Sequence, residues 1–130
     1  MANPPIRILV VDDDPALLEM YQARMMAEGY IVDTATDGQQ ALAHATATIP
    51  DVMLLDMRMP NVTGLEVLEI LKTTKATKDI PVIVLSALGD DALKNQAMAR
   101  GAADYLTKAD TTPAQVVAKI QSVLTGAQGD

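Results

Sequence analysis

Ile6-Arg7-Ile8-Leu9-Val10-Val11-Asp12-Asp13-Asp14-Pro15 is the stretch that decides the fold: an apolar, largely β-branched run that stops at three successive acids. Runs of this length and composition read as buried parallel strands. A second run, Val52-Met53-Leu54-Leu55, ends in Asp56, and a third, Pro81-Val82-Ile83-Val84-Leu85, ends in Ser86. A shorter fourth, Tyr105-Leu106-Thr107, ends in Lys108. Open α/β sheets place their ligand crevices outside the carboxyl ends of the strands. Four strand ends would therefore offer carboxylates, a hydroxyl and an ammonium to one rim.

Between these runs the apolar spacing becomes helical. Asp14 can cap a helix with Pro15 at its first position, where the missing N–H costs nothing. Leu17, Met20, Tyr21 and Met25 then recur at helical spacing, with Gly29 as the stop. Tyr30-Ile31-Val32 opens a further strand, followed by Asp37-Gly38 and an alanine-rich helix over about 38–47. Further helices are expected at about 64–73, with Leu65, Val67, Leu68 and Leu71 inward, at about 90–99, and from Pro113 with Val116, Val117, Ile120 and Leu124 on its apolar face. Residues 125–130 read as a frayed tail. Five strand-then-helix repeats imply an α/β, doubly wound parallel sheet of five strands with helices on both faces, because crossovers are right-handed. The pattern leaves the strand order open.

The 130 residues fit one domain with one core. Phe and Trp are absent and Tyr occurs three times, so that core must come from aliphatic residues and eight Met, whose flexible thioethers adapt to irregular gaps. Seventeen acids against ten bases give a net charge of −7, which argues against direct nucleic-acid binding and suits cations or a protein partner. With no Cys, disulfides and thiolate metal sites are excluded. The start, Met1-Ala2-Asn3-Pro4-Pro5, has no apolar signal core and no stretch reaches the length of a membrane span, so the expectation is a cytoplasmic protein with no membrane partner.

Four segments together resemble the receiver domain of two-component response regulators, the chemotaxis-regulator type. They are residues 8–15 (Ile8 to Pro15), 55–66 (Leu55 to Glu66, with Pro60 and Gly64 in the loop), 80–87 (Ile80 to Ala87) and 101–108 (Gly101 to Lys108). A strand ending in two acids also occurs in phosphatases and nucleases, but four segments in this order are specific. The resemblance covers about 6–125 and implies a flavodoxin-like sheet of order 2-1-3-4-5 with five helices, a single receiver domain over 1–130.

What the resemblance implies for the site follows residue by residue. Asp56 would be the phosphoacceptor, a carboxylate able to attack a phosphoryl group and form an acyl phosphate. Asp13 and Asp56 would supply carboxylates to Mg2+ or Mn2+, Asp12 would act through water, and Arg58 would add its backbone carbonyl. Lys108 would offset the added charge, Ser86 would donate to a phosphoryl oxygen, and Tyr105 would be an aromatic switch following Ser86. His44, the only histidine, reads as a surface residue. Two departures stand out. Ala109 replaces the family's cis proline after the lysine, so a trans bond is expected there. Asp110 replaces an apolar residue, which alters the output face built by the last strand and the last two helices. Arg58 and Leu88, two positions beyond Asp56 and Ser86, flank the site and would screen an acyl phosphate from water.

The implied partners are a histidine kinase or phosphotransfer protein and a downstream protein target or output domain, with the receiver itself a monomer or weak homodimer. It would be a switch, limited to self-phosphorylation and self-dephosphorylation, more than a turnover enzyme. Two other readings compete with a stand-alone protein: a receiver excised from a multidomain DNA-binding regulator, and a Mg2+-dependent phosphatase with an aspartyl nucleophile. The phosphatase would place its nucleophile at Asp12, because Asp14 follows two residues on, whereas Arg58 occupies that position after Asp56. A nucleotide-binding module is disfavoured by the lack of a Gly-rich turn after the first strand.

Overall fold

The computed structural model describes residues 5–59, 62–87 and 89–129. Strands and helices alternate throughout: β1 (Arg7–Val11), α1 (Pro15–Ala27), β2 (Ile31–Ala35), α2 (Gly38–Ala47), β3 (Val52–Leu55), α3 (Gly64–Thr73), β4 (Val82–Ser86), α4 (Asp91–Ala99), β5 (Asp104–Thr107) and α5 (Pro113–Gly129). A 3-10 turn, Lys108–Asp110, joins β5 to α5. All the strand pairs are parallel and the order is β2-β1-β3-β4-β5. The order reverses between β1 and β3, which opens a crevice above their carboxyl ends.

Strand side chains alternate between faces, and here both faces are covered. Leu9, Val11, Met53, Leu55, Val82 and Val84 face one side, where Ala41 and Ala45 of α2, Val67, Leu68 and Leu71 of α3 and Ala97 of α4 pack on them. Ile8, Val10, Val52, Leu54, Ile83 and Leu85 face the other, against Leu18, Tyr21 and Met25 of α1 and Val116, Ile120 and Leu124 of α5. A sheet buried on both sides needs strands that are apolar at every position, which is why β1, β3 and β4 read as continuous runs. Small alanines let α2 lie close to the sheet.

The helix ends follow the local chemistry. Asp14, Asp37 and Asp90 each accept a backbone N–H as N-caps, and Thr63 with Glu66 forms a reciprocal capping box at α3. Past α1 the chain turns at Gly29, whose φ of 94° suits glycine alone. Two expectations need correction. Met20 is 37% exposed while Leu18 is buried, so α1 turns a different set of residues to the core than its spacing suggested. Residues 125–129 are not a frayed tail: α5 continues to Gly129, and the Thr125 hydroxyl donates to the Gln121 carbonyl one turn back, keeping the helical path. The helix expected at about 90–99 runs from Asp91 to Ala99, with Asp90 as its cap. Among the described residues there is no cis peptide bond, so the bond between Lys108 and Ala109 is trans, as expected. No helix among the described residues is long and apolar enough to cross a membrane.

Candidate functional site

Strand register brings the acids together. Val11 pairs with Leu55, so Asp12 and Asp56 follow side by side at adjacent strand ends, and the Asp56 N–H donates to the Val11 carbonyl at 3.0 Å. Asp12 and Asp56 are both buried, whereas Asp13 is exposed. One oxygen from each of the three carboxylates lies within 4.8 Å of the others. That is a cluster of hard oxygen donors open to water on one side, the kind of site that holds an octahedral cation while it keeps several waters.

Lys108 reaches this cluster from β5. Its Nζ lies 2.6 Å from Asp12 Oδ2 and 3.7 Å from Asp56 Oδ2, so the shorter contact is to Asp12. The other Asp12 oxygen accepts the Asp14 N–H at 2.9 Å. Arg58 approaches through its backbone, its N–H standing 3.4 Å from Asp56 Oδ1, while its side chain is exposed. These groups, with Leu17 and Ala87, line a hollow of about 330 Å³. In the sequence Leu17 belongs to a helical stripe, and its position in the first turn after the acid loop is the signal that places it here.

Electrostatics follow from this crowding. Burial, then the charge of Asp12, pushes the Asp56 carboxyl up to about 6, with Lys108 and the Arg58 N–H acting in the other direction. For Lys108, burial works to lower the ammonium pKa, but the hydrogen bond to Asp12 and the charges of Asp56, Asp12 and Asp13 outweigh it, and the net shift is upward. A buried acid whose charged form is disfavoured even beside a lysine ammonium is a site short of positive charge.

The remaining expected residues divide. Ser86 ends β4 fully buried, in register with Thr107, just before Ala87 at the hollow. Tyr105 is buried, its ring packed with the α4 side of the core, and it borders a separate hollow with Lys94 and Thr107. Gly64 holds α3 against the strand end: a Cβ there would meet the Asp56 carbonyl oxygen and stand 2.6 Å from Met57 Cα. His44 is exposed on α2, and Asp110 is exposed in the 3-10 turn. Pro60 and Leu88 lie outside the described residues.

The chain is similar to known proteins in sequence and in fold. The model of the response regulator receiver domain matches residues 8–121. Response regulator PleD of Caulobacter vibrioides is 44% identical over 102 residues, covering 78% of this chain and 22% of that protein. The DNA-binding dual master transcriptional regulator RpaA of Synechocystis is 42% identical over 102 residues, covering 78% of this chain and 42% of that one. The chain thus spans less than half the length of these curated relatives. Among solved structures, the chemotaxis protein CheY4 of Vibrio cholerae superposes with a TM-score of 0.86 at 30% identity, covering 92% of this chain and 99% of that one. A CheY-like receiver domain from Methanospirillum hungatei reaches 0.90 at 26% identity, covering 96% and 98%. With the sheet order, the acid cluster and the matched residues agreeing, the chain belongs to the response regulator receiver domains of two-component systems.

Proposed function

We propose that residues 1–130 act as a single receiver domain whose Asp56 accepts a phosphoryl group from a phosphohistidine and thereby switches a protein-binding surface. The observation that carries this is the convergence of Asp12, Asp13 and Asp56 with Lys108 at the rim where the strand order reverses. An Asp56 oxygen attacks phosphorus, the donor's N–P bond breaks, and the imidazole nitrogen leaves with the bond's electron pair and takes up a proton. The product is an acyl phosphate on Asp56. Asp12 is occupied by Lys108 and by the Asp14 N–H, which supports Asp56 as the reacting carboxylate.

The donor set fits Mg2+ or Mn2+, with Asp13 and Asp56 as carboxylate ligands, Asp12 acting through water and Arg58 offering its carbonyl. A bound divalent cation would supply positive charge to the phosphoryl oxygens and to the crowded acids. Lys108, tethered by a flexible stem, moves its ammonium from Asp12 toward the new oxygens as charge builds on Asp56. Ser86 donates its hydroxyl to the phosphoryl group, and Tyr105 follows that movement. Arg58 and Leu88 tune the access of water. The reaction is confined to the domain's own Asp56, so the protein is a switch and not a turnover enzyme. The partners in this reading are a cytoplasmic histidine kinase or phosphotransfer protein and a downstream target or output domain.

Intact mass after treatment with a small acyl phosphate and Mg2+ tests the assignment. The expected result is one phosphoryl adduct, mapped to Asp56 and absent from folded Asp56→Asn. Normal labelling of that variant would sink the assignment. Turnover of a generic phosphate ester, lost in Asp12→Asn and retained in Asp56→Asn, would instead favour the phosphatase reading.

A further inference from the structure

Lys72, in the last turn of α3, is held at both its stem and its head. Its Nζ donates to the Ile80 carbonyl at 2.5 Å and to the Lys78 carbonyl at 3.1 Å, both in the turn that leads into β4. The turn between α4 and β5 passes against the stem, so closely that a Cβ built on Gly101 would stand 3.2 Å from Lys72 Cγ. A lysine chain in water samples many rotamers; here packing and two hydrogen bonds hold it in one arrangement.

That arrangement accommodates a neutral amine as well as an ammonium. An ammonium carries three N–H donors and a neutral amine two, and Lys72 meets two carbonyl acceptors among the described residues. Loss of the third proton would leave both hydrogen bonds in place, with the nitrogen lone pair turned away from the carbonyls. The Lys78 contact is exposed and the Ile80 contact only partly buried, so the head group lies at the edge of the core, where a small molecule can meet it. Burial lowers the ammonium pKa, and the charge of Asp79 acts in the other direction. A desolvated lysine of this kind is the form in which the side chain serves as a nucleophile. Other lysines are differently placed: Lys108 is raised by its acids, and Lys119 is bound to Asp104 at 2.7 Å.

We propose that Lys72 is an acylation site, whose amine takes the acyl group of a small acyl phosphate. Lys72, Lys75 and Lys78 fall within residues 72–79 against one acid, Asp79, and Lys75 and Lys78 are exposed. On a chain of net charge −7 this loop is a local cationic patch that draws an anionic donor. The neutral amine attacks the acyl carbon, and the bond between that carbon and the phosphate oxygen breaks. Phosphate leaves with the electron pair and takes up the proton that the nitrogen sheds. The product, a secondary amide, keeps one N–H, so either the Lys78 or the Ile80 carbonyl loses its donor and the turn before β4 loosens. The attack is at carbon and needs no divalent cation, so the site stands independently of the role given to Asp56.

The test is acetylation of the intact protein by acetyl phosphate in the presence of a chelator, with digestion and mass mapping of each lysine over time. Lys72 is expected to react about fivefold faster than the exposed Lys75, the effect of a larger neutral fraction, and in denaturant the two rates should converge. Asp79→Asn, which removes the charge that favours the ammonium, should raise the Lys72 rate about twofold and leave that of Lys94 unchanged. In the acetylated fraction, the Lys78 and Ile80 amides, which close turns on the Thr74 and Thr77 carbonyls, should exchange with water faster than in the parent. A Lys72 rate no higher than that of Lys75, or a lead that persists in denaturant, overturns the site, as does an Asp79→Asn rate at or below the parent's. Unchanged exchange at Lys78 and Ile80 overturns its coupling to the turn before β4.

Discussion

Asp56 is held where its charge is unwelcome until something positive arrives. Buried beside Asp12, its carboxyl stands at about 6 against an ordinary value near 4. A carboxyl raised in the folded state binds more protons folded than unfolded between those values. Its contribution to stability is thus fully present below about pH 4 and lost as pH rises through about 6. In the presence of a chelator, the parent should lose about 2 to 3 kcal/mol of stability across that window, an order-of-magnitude figure from the size of the shift. Asp56→Asn should flatten that loss and melt higher than the parent at pH 7.5. Denaturant melts at pH 4.5, 6 and 7.5 decide the point, and a variant as pH-sensitive as the parent would move the raised carboxyl elsewhere. Asp56 was legible as a residue because an acid closing an apolar run is chemically conspicuous. Its pairing was not: Lys108 lies 96 positions from Asp12, and nothing in the sequence tells which of two neighbouring carboxylates takes the shorter contact.

At the scale of elements, position depends on close approaches that only some residues permit. Gly64 opens α3 where a Cβ would press on the main chain of Asp56 and Met57, not on a flexible side-chain end that could swing away. Gly64→Ala should therefore cost about 1 to 3 kcal/mol, as overpacking does, and should slow Asp56 labelling by displacing the strand end. Equal stability and labelling in that variant would show that the loop yields easily. The bounds of α2 and α3 were legible because Asp37-Gly38 breaks the chain before α2 and the apolar residues of α3 recur at helical spacing; the Asp37 and Thr63 caps are what the structure adds. The face of α1 was not. Leu17, Leu18, Met20, Tyr21, Met25 and Met26 cover more than one side of the helix, and only packing against β1 and α5 selects Leu18 over Met20. Strand order was likewise beyond the apolar pattern, since every interior strand is equally hydrophobic. The family resemblance supplied it, and the sheet has that order.

For the whole molecule, a net charge of −7 and three acids at one rim predict that a divalent cation stabilises the fold. The unfolded chain scatters Asp12, Asp13 and Asp56, so a divalent cation that needs all three favours the folded state by mass action. At a hundredfold excess over the dissociation constant this linkage amounts to about 2.7 kcal/mol, and for a domain of this size it should raise the melting temperature on the order of 10 °C. General screening of acidic repulsion would also stabilise the protein, but NaCl at matched ionic strength would do the same. Asp13 separates the two effects because it is exposed, takes no part in the Lys108 bridge and belongs to the donor cluster. With chelator, Asp13→Asn should melt no lower than the parent, since one repelling charge is gone. With Mg2+ it should lose most of the parent's increment and keep only what NaCl gives. A full Mg2+ increment in Asp13→Asn would place the cation away from this rim, and with it the charge balance that the proposed phosphoryl transfer to Asp56 requires.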